Sequence, residues 1–235
     1  MTHTLSPEEF LAASAVDSAV HALRPDYRAH LIVVDGIVPG AGDAVADELV
    51  ARAEEQARRL VNEAAVEDLP HIAAWREAYR AFGAKPQRTR NSLEALTRRA
   101  VGGLPRVNPL TDIYNAVSVL HQIPLGGEDF ANYRGPARLV RARGDERFDT
   151  ASNGGIVIEH PDEGEVIWRD DEGVTCRRWN WRQGRRTALT DETRTAVFIL
   201  DVLAPISDAE LMIASEELIA ALGGGVHASS RVLVA

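Results

Sequence analysis

The spacing of apolar residues predicts one strand and two helices in the first third of the chain. His30 to Val38 is a short β-rich run that ends at Pro39-Gly40, which is typical of a buried strand. From Val45 to Ala64 the apolar residues recur every three or four positions and form one face of a long helix. A second helix is predicted around Ile72 to Phe82, and its aromatic side chains are expected to form core.

Two helix-start signals follow. Asn91, three residues before Glu94, resembles a capping box and predicts a helix through about Ala100. Asn108-Pro109 joins a polar cap to a proline at the first helical position and predicts another helix. One ridge of that helix is apolar. The other ridge carries polar residues that are neighbours on the helix surface, namely Asn115, Ser118 and Gln122.

After Gly126-Gly127 the pattern changes to short runs separated by Gly, Asp and Asn, which is typical of strands. The predicted strands are Ala137–Ala142, Gly155–Ile158, Glu165–Arg169, Val174–Trp181 and Thr195–Leu203. Ser207 then caps a helix that Gly223 ends, and Val226 to Val234 is a last strand. The sequence therefore predicts an α+β fold with N-terminal helices packed on a mostly antiparallel sheet. Because no repeat or linker divides the chain, residues 1–235 are expected to form a single domain.

The composition is that of an ordinary globular protein, with 45% apolar residues among 235. No apolar run approaches the roughly 18 residues that a membrane span requires. The longest candidate, Ala196 to Leu203, is interrupted by Asp201, and the N-terminus is polar and acidic rather than an export signal. We expect a soluble cytoplasmic protein with no membrane partner.

The sequence offers little to bind a metal. One cysteine, Cys176, excludes an internal disulfide and any site built from several thiolates, and a single thiol is typical of a reducing compartment. The seven histidines include no HExxH motif and no close pair with carboxylates at ligand spacing. We predict neither a metal nor a cofactor.

Charge is distributed unevenly along the chain. The net charge of −9 argues against a protein that coats nucleic acid through bulk electrostatics. Two basic clusters could nevertheless hold phosphates locally, although for any single arginine we favour a position on a solvated helix face. The clusters are Arg76, Arg80, Lys85, Arg88, Arg90, Arg98, Arg99 and Arg106, and Arg177, Arg178, Arg182, Arg185 and Arg186.

The segment from Cys176 to Arg182 places two tryptophans and three arginines close together. On a strand, Trp179 and Trp181 would share one face with Arg177, and Arg178 and Asn180 would face the other way. Guanidinium groups bind carboxylate or phosphate, and an indole offers a stacking surface for a ring. The segment is therefore a candidate binding site, and the alternative is one core face and one solvated basic face.

The segment from Pro124 to Asp129 is a second candidate. Gly126 and Gly127 would let the backbone approach a ligand, and Glu128 and Asp129 could accept hydrogen bonds from an ammonium or a hydroxyl. The same residues are typical of a plain turn, which we favour on the sequence alone. No P-loop or GxGxxG fingerprint is present.

Cys176 and His121 are weaker candidates. A cysteine nucleophile needs a base within hydrogen-bond reach, and only remote histidines such as His121 are available. We interpret Cys176 as a small buried strand residue. His121 ends the helix that carries Asn115 and Ser118, so we include it among the pocket residues.

Three segments between Trp75 and Leu203 resemble one known family. WREAYRAFGAKPQRTRNSLEALTRRA, LPRVNPLTDIYNAVSVLHQIPLGGED and CRRWNWRQGRRTALTDETRTAVFIL are similar to the stand-alone B3/B4-domain proteins of bacteria. These proteins resemble the tRNA-editing domain of the phenylalanyl-tRNA synthetase beta subunit. The resemblance covers somewhat over half of the chain.

In the synthetase subunit, the equivalent domain binds misacylated tRNA-Phe and hydrolyses wrongly attached tyrosine. By resemblance, a Pro-x-His-x-x-Asp stretch corresponds to Pro124 through Asp129, with Gly126 in the place of the histidine. An editing strand corresponds to Arg177 through Gly184, its editing glutamate falls at Arg185 and its hydroxyl residue at Thr187. Two polar groups that read the tyrosyl hydroxyl are thus replaced, so tyrosine editing itself is not expected.

The resemblance implies an amino-acid-sized pocket and a link to aminoacyl-tRNA. Our first hypothesis is a hydrolase that cleaves mischarged aminoacyl-tRNA in trans, with Asn115 and Thr187 as candidate catalytic residues. The alternatives are a non-catalytic binding module for an amino acid or aminoacyl-nucleotide, and an interaction protein of the translation machinery. The predicted substrate-binding residues are Asn115, Ser118, His121, Gly126, Gly127, Glu128, Asp129, Arg177, Arg178, Trp179, Asn180, Trp181, Arg185 and Thr187.

Overall fold

The computed structural model describes residues 5–38, 42–152 and 154–234. The helices within these ranges are α1 (Pro7–Ala13), α2 (Ser18–His21), α3 (Asp43–Glu63), α4 (Pro70–Ala81), α5 (Ser92–Ala100), α6 (Pro109–His121) and α7 (Asp208–Ala221). The strands are β1 (Ala15–Val16), β2 (Arg28–Asp35), β3 (Leu125–Asp129), β4 (Arg138–Arg141), β5 (Phe148–Ser152), β6 (Gly155–Glu159), β7 (Val166–Arg169), β8 (Val174–Arg177), β9 (Arg182–Gln183), β10 (Thr195–Val202) and β11 (His227–Leu233). None of the described helices has the length and apolar character of a membrane span.

The predicted caps begin three helices. The Asn108 side chain accepts a hydrogen bond from the Thr111 N–H over 2.9 Å, with Pro109 at the first position of α6. Ser207 and Glu210 form a reciprocal capping box on α7. Asn91 caps α5, but the Glu94 side chain forms ion pairs with arginines instead of returning to the cap.

The strands form two main sheets and a hairpin. The first sheet has the order β11-β2-β10-β3 and is antiparallel throughout. The second has the order β1-β4-β7-β8-β9, and only its β1-β4 pair is parallel. Strands β5 and β6 pair as a separate antiparallel hairpin. The predicted α+β class with mostly antiparallel sheets is confirmed.

Side chains alternate along β10, so the first sheet buries both of its faces. Phe198 and Leu200 pack against a cluster that includes residues of α3, α5, α6 and α7. Val197 and Ile199 pack against residues of the second sheet. Each fully buried large aliphatic or aromatic side chain contributes about 1.5–3 kcal/mol, so two apolar interfaces hold the sheet between its neighbours. Asp201 lies on the same face as Val197 and Ile199, and therefore points between the two sheets.

Two predictions about local structure are wrong. The strand predicted from Val174 to Trp181 ends at Arg177, because Arg178 and Trp179 adopt left-handed φ values of 47° and 68°. The predicted sharing of faces in this segment is lost with the alternation. The turn favoured for Gly126-Gly127 is strand β3, which pairs with β10. The turn predicted at Pro39-Gly40 lies outside the described residues.

Candidate functional site

A cavity of about 240 Å³ opens between the two sheets beside the edge strand β3. Its deep part is lined by the buried Trp168 and Trp179, and its mouth by the exposed Arg99 and the half-buried Trp181 and Arg182. The volume suits a ligand of amino-acid size. The other residues that line it are Ser92, Ala95, Leu96, Tyr114, Asn115, Leu125, Gly126, Glu128, Cys176, Asn180, Gln183, Ile199 and Asp201.

Two buried carboxyl groups belong to the cavity wall. Glu128 accepts a hydrogen bond from the Tyr133 hydroxyl, and Asp201 accepts one from the Tyr27 hydroxyl. Burial raises the pKa of each carboxyl to about 7, because the ionised form loses its hydration. No lysine, arginine or histidine of the described ranges forms an ion pair with either of them. The cavity therefore carries acidic groups whose charge changes near neutral pH.

The strand register fixes how these carboxyls are arranged. Glu128 pairs with Val197, and Gly126 pairs with Ile199, so all four residues share the face toward the second sheet. Asp201 continues this row, four residues beyond Val197 on β10. At about 3.3 Å per residue, the two acidic positions lie roughly 13 Å apart along the strand direction. Glu128 and Asp201 thus occupy opposite ends of one cavity floor, with Gly126 and Ile199 between them.

The turn from Arg178 to Trp181 lies over the cavity. The Trp179 ring is fully buried against Tyr27 and Trp75, with ring centroids 4.9 and 5.2 Å away. Asn180 accepts a hydrogen bond from the Tyr79 hydroxyl over 3.0 Å, which fixes its amide. Packing of Trp179 thereby offsets the strained left-handed backbone. Trp179 and Trp181, both predicted site residues, line the cavity.

Trp181 carries a cation on its ring. The Arg178 guanidinium carbon lies 4.6 Å from the indole centroid, within the range of a cation–π contact. The same guanidinium donates to the Thr89 hydroxyl over 2.6 Å. Arg178 therefore holds the indole at the mouth and does not line the cavity.

Gln183 closes one side of the cavity. Its Nε2 donates to the Gly127 carbonyl over 3.0 Å, and its Oε1 accepts from the Tyr114 hydroxyl over 3.3 Å. In an antiparallel strand, the N–H and the C=O of one residue point to the same side. The Gly127 C=O points away from β10, toward Gln183, and the neighbouring Asp129 N–H points the same way, toward Thr187. The Gly127 N–H therefore also points away from β10. The edge of β3 therefore presents the Gly127 N–H between two residues that line the cavity, Gly126 and Glu128.

Asn115 is the predicted site residue that the structure leaves most available. It lies on α6, lines the cavity, and is 9% exposed. Its side chain forms no hydrogen bond within the described part of the chain, although a buried amide ordinarily has partners. Asn115 can therefore donate to, and accept from, a ligand.

The structure gives several other predicted site residues a structural role away from the cavity. Ser118 donates to the Ile123 carbonyl over 2.6 Å, His121 contacts Glu217 over 2.5 Å, and Asp129 accepts from Ala131 and Thr193. These side chains are already engaged and do not line the cavity.

Three further candidates from the second basic region are also displaced. Arg177 is buried and forms two hydrogen bonds to Glu165, of 2.9 and 2.7 Å, so it stabilises the core of the second sheet. Arg185 is exposed, with its Nε 3.7 Å from Asp149. Thr187 is buried, and its carbonyl accepts from the Asp129 N–H, while its hydroxyl is inaccessible. The predicted pairing of Asn115 with Thr187 is therefore absent from the cavity.

Asp201 is the important cavity residue that the sequence analysis missed. Its position inside the apolar run from Ala196 to Leu203 could have identified it, because a charged residue in a buried strand requires a partner or a function. Tyr114, Trp168 and Gln183 were also missed, since nothing in the chain separates them from ordinary core or turn residues.

The mouth is rimmed by cations. Arg99 forms no ion pair within the described residues, and the same holds for Lys85 and Arg88 in an adjoining cleft of about 390 Å³. The Ser92 N–H donates to the Asn180 carbonyl over 2.9 Å, which connects this basic segment to the cavity wall. No group of three or more His, Cys, Asp or Glu side chains suited to a metal occurs in the described ranges.

Comparison with known proteins supports the resemblance noted from the sequence. The family model of the B3/4 domain matches residues 74–217. The solved N-terminal fragment of the phenylalanyl-tRNA synthetase beta subunit from Pyrococcus horikoshii is similar over 92% of this chain and 49% of that chain, with 13% identity and a TM-score of 0.47. The chain thus spans about half the length of that fragment. No curated protein matches the sequence.

Proposed function

This chain belongs to the B3/4 domain family, and we propose that its cavity binds the aminoacyl end of a tRNA and hydrolyses the ester of a mischarged one. The observation that carries the proposal is an amino-acid-sized cavity that holds the Asn115 amide without a hydrogen-bond partner and has Arg99, which forms no ion pair within the described residues, at its mouth. The inner groups suit an aminoacyl moiety. The outer cations suit the phosphates of the attached RNA, in a protein that acts in the cytoplasm.

The reaction would need little more than positioning. An aminoacyl ester is already activated, so a water oxygen forms a bond to the carbonyl carbon and the bond from that carbon to the ribose oxygen breaks. The ribose oxygen takes a proton derived from the water, and the products are the amino acid and a free tRNA end. The Asn115 amide and the Gly127 N–H would stabilise charge on the carbonyl oxygen, and Glu128 would bind the α-ammonium group.

A non-catalytic binding module is the second candidate. Burial raises the pKa of the Cys176 thiol well above its usual value, so the one cysteine in the cavity is protonated and a poor nucleophile. No histidine of the described chain lines the cavity as a general base. These features favour binding without turnover, unless the aminoacyl ester is reactive enough for a positioned water to cleave it without a nucleophilic or basic side chain.

Deacylation separates the two candidates. A panel of tRNAs charged with different amino acids would be incubated with wild type, Asn115→Ala and Arg99→Ala, with Arg58→Ala on α3 as an exposed arginine away from the mouth. We expect Asn115→Ala to slow cleavage by on the order of 100-fold, as for loss of one oxyanion donor. Arg99→Ala should weaken tRNA binding and reduce its salt dependence.

Either half of the proposal can fail separately. Cleavage at the background rate for every ester, with retained binding of aminoacyl-tRNA, would leave only the binding module. Equal tRNA affinity for Arg99→Ala and Arg58→Ala would remove the mouth as the site of RNA contact.

A further inference from the structure

The far end of the cavity floor has a carboxyl group that the proposed reaction does not use. Glu128 lies at one end and would bind the α-ammonium of the aminoacyl group, whereas Asp201 lies roughly 13 Å away along the strand direction at the other end. Both side chains are nearly inaccessible to bulk solvent, with 2% and 3% exposure. A buried carboxyl that faces a cavity requires a donor from the ligand or a proton.

Within the described residues, neither carboxyl forms an ion pair with a cationic side chain. The charge of Arg186 acts on Glu128, but the Arg186 guanidinium is itself hydrogen-bonded to Asp170 over 2.8 Å. Asp201 receives neutral donors, from the Tyr27 hydroxyl and the Asn180 amide. The unpartnered Asn115 side chain, which is nine-tenths buried, adds a further group on the wall that awaits a ligand. A positively charged ligand end would therefore complete the site.

We infer that the cavity is selective for a basic amino acid, with Glu128 binding its α-ammonium and Asp201 its side-chain ammonium. This inference rests on the proposed function of the cavity as an aminoacyl site. The middle of the floor is apolar, since Ile199 lies there beside Gly126, and the Trp168 ring lines the same cavity. Lysine fits this arrangement, because its four-carbon side-chain stem separates two ammonium groups, as the apolar middle of the floor separates the two carboxyls.

The pH dependence of affinity follows from the surroundings of the carboxyls. The groups acting on Glu128 are Tyr133, Asp170 and Arg186, and those on Asp201 are Tyr27, Asn180 and Trp168, with the neutral Cys176 thiol near both. With a pKa of about 7, the Asp201 carboxyl is mostly protonated at pH 6 and mostly ionised at pH 8. An ammonium binds the ionised form, so the affinity gained from the side-chain ammonium should rise with pH over this interval.

The test compares lysinamide with norleucinamide, which lacks only the side-chain amine. Dissociation constants would be measured by calorimetry and by thermal shift for the full chain at pH 6 and pH 8. We expect lysinamide to bind at least about tenfold more tightly at pH 8, and this preference to fall by about tenfold at pH 6 because the ionised fraction of a group of pKa 7 falls by that factor. Diaminopropionamide, whose stem is too short to reach both carboxyls, should bind like norleucinamide.

Variants assign the preference to a residue. Asp201→Asn should abolish the preference for lysinamide and leave norleucinamide binding unchanged, whereas Glu128→Gln should weaken both ligands. Glu146→Gln is the matched control, because this buried carboxyl accepts from the Arg143 and Gly144 backbone outside the cavity. A single cooperative melting transition at pH 6, at or above the wild-type melting temperature, would establish that each variant of Glu128 and Asp201 folds.

The outcomes separate this inference from the function on which it rests. If norleucinamide binds as tightly as lysinamide, and Asp201→Asn changes nothing, the basic selectivity is wrong while the aminoacyl site remains. If no amino-acid amide binds and no ester is cleaved, the proposed function itself is wrong, and the selectivity fails with it.

Discussion

Gln183 Nε2 lies 3.0 Å from the carbonyl oxygen of Gly127 and donates a hydrogen bond to it. This contact joins the end of the second sheet to the edge of the first, and so closes one side of the cavity. It is possible because Gly126 has no side chain: a Cβ there would lie 2.9 Å from Gln183 Nε2. The glycine pair thus makes room for packing of the cavity wall.

The two glycines should respond differently to substitution. A Cβ at Gly127 would meet Phe198, Leu189 and Tyr114 at 2.8–2.9 Å inside the core, so Gly127→Ala should reduce the free energy of unfolding by about 1–3 kcal/mol. A Cβ at Gly126 meets only the end of a flexible side chain, so Gly126→Ala should cost less but displace Gln183. Urea denaturation measures both changes, and Gly224→Ala, which has open space, is the control.

The buried carboxyls should make stability fall as pH rises. Their pKa is raised in the folded chain, from 4.5 to about 7 for Glu128 and from 3.8 to about 7 for Asp201. The unfolded chain therefore releases these protons at lower pH, and the contribution that is complete below about pH 4 is lost as pH rises through 7.

Neutral variants should remove this pH dependence. At pH 8, Glu128→Gln should be more stable than wild type by about 3 kcal/mol and Asp201→Asn by about 4 kcal/mol, as upper estimates from the sizes of the pKa shifts. At pH 3 the advantage should largely vanish, because both carboxyls are then mostly protonated in the folded and in the unfolded chain. Free energies of unfolding across this pH range provide the measurement. A constant difference between variant and wild type would contradict the assignment of these shifts.

Much of the fold could be predicted because its signals are local. Asn108-Pro109 and Ser207 mark helix starts through contacts within one turn, and the structure retains both. The break at Arg178 and Trp179 could not be predicted. It depends on the Trp179 N–H donating to the Val166 carbonyl and on the burial of the Trp179 ring by distant segments.

The candidate site was predictable only in part, because only some of its residues are positioned by local contacts. Asn115 was identified because it shares a polar ridge with its neighbours, and a helix brings that ridge to one surface. Strand β3 was missed because Gly-Gly-Glu-Asp has turn composition, and its extended form comes from pairing with β10, about 70 residues away. Asp201 joins the site through that same pairing.

Arg177 should matter for stability and little for binding. It is buried with Glu165, and its removal would leave that buried carboxylate with only the partly exposed Arg178, whose Nε lies 3.5 Å away, as a charged partner. Arg177→Met should therefore reduce the free energy of unfolding by about 3–5 kcal/mol. The double variant Arg177→Met, Glu165→Leu should recover much of this loss. An unchanged melting temperature for the single variant would show that the pair is unimportant.

The protein should function without a metal. No cluster of His, Cys, Asp and Glu in the described ranges offers the three or four ligands that a bound ion requires. Treatment with a chelator should leave the melting temperature and the rate of ester cleavage unchanged. Elemental analysis that finds one metal ion per chain, together with loss of activity on chelation, would contradict this prediction.

Cys176 should act as part of the cavity wall and not as a nucleophile. Its thiol lines the cavity, but burial raises the pKa of that thiol far above neutral pH, and attack on an ester requires the thiolate. We therefore expect Cys176→Ala to cleave mischarged tRNA at a rate within about twofold of the wild-type rate. Loss of an oxyanion donor, by contrast, would slow cleavage by on the order of 100-fold.

The bulky variant Cys176→Phe distinguishes a wall residue from a reactive one. A phenyl ring would occupy part of the cavity of about 240 Å³, so binding of amino-acid amides should be lost along with cleavage. Calorimetry and deacylation would be run on both variants, with melting temperatures to confirm folding. If Cys176→Ala abolishes cleavage while amide binding is retained, the thiol takes part in the chemistry. The hydrolysis by positioned water proposed above would then have to be replaced by a covalent thioester route.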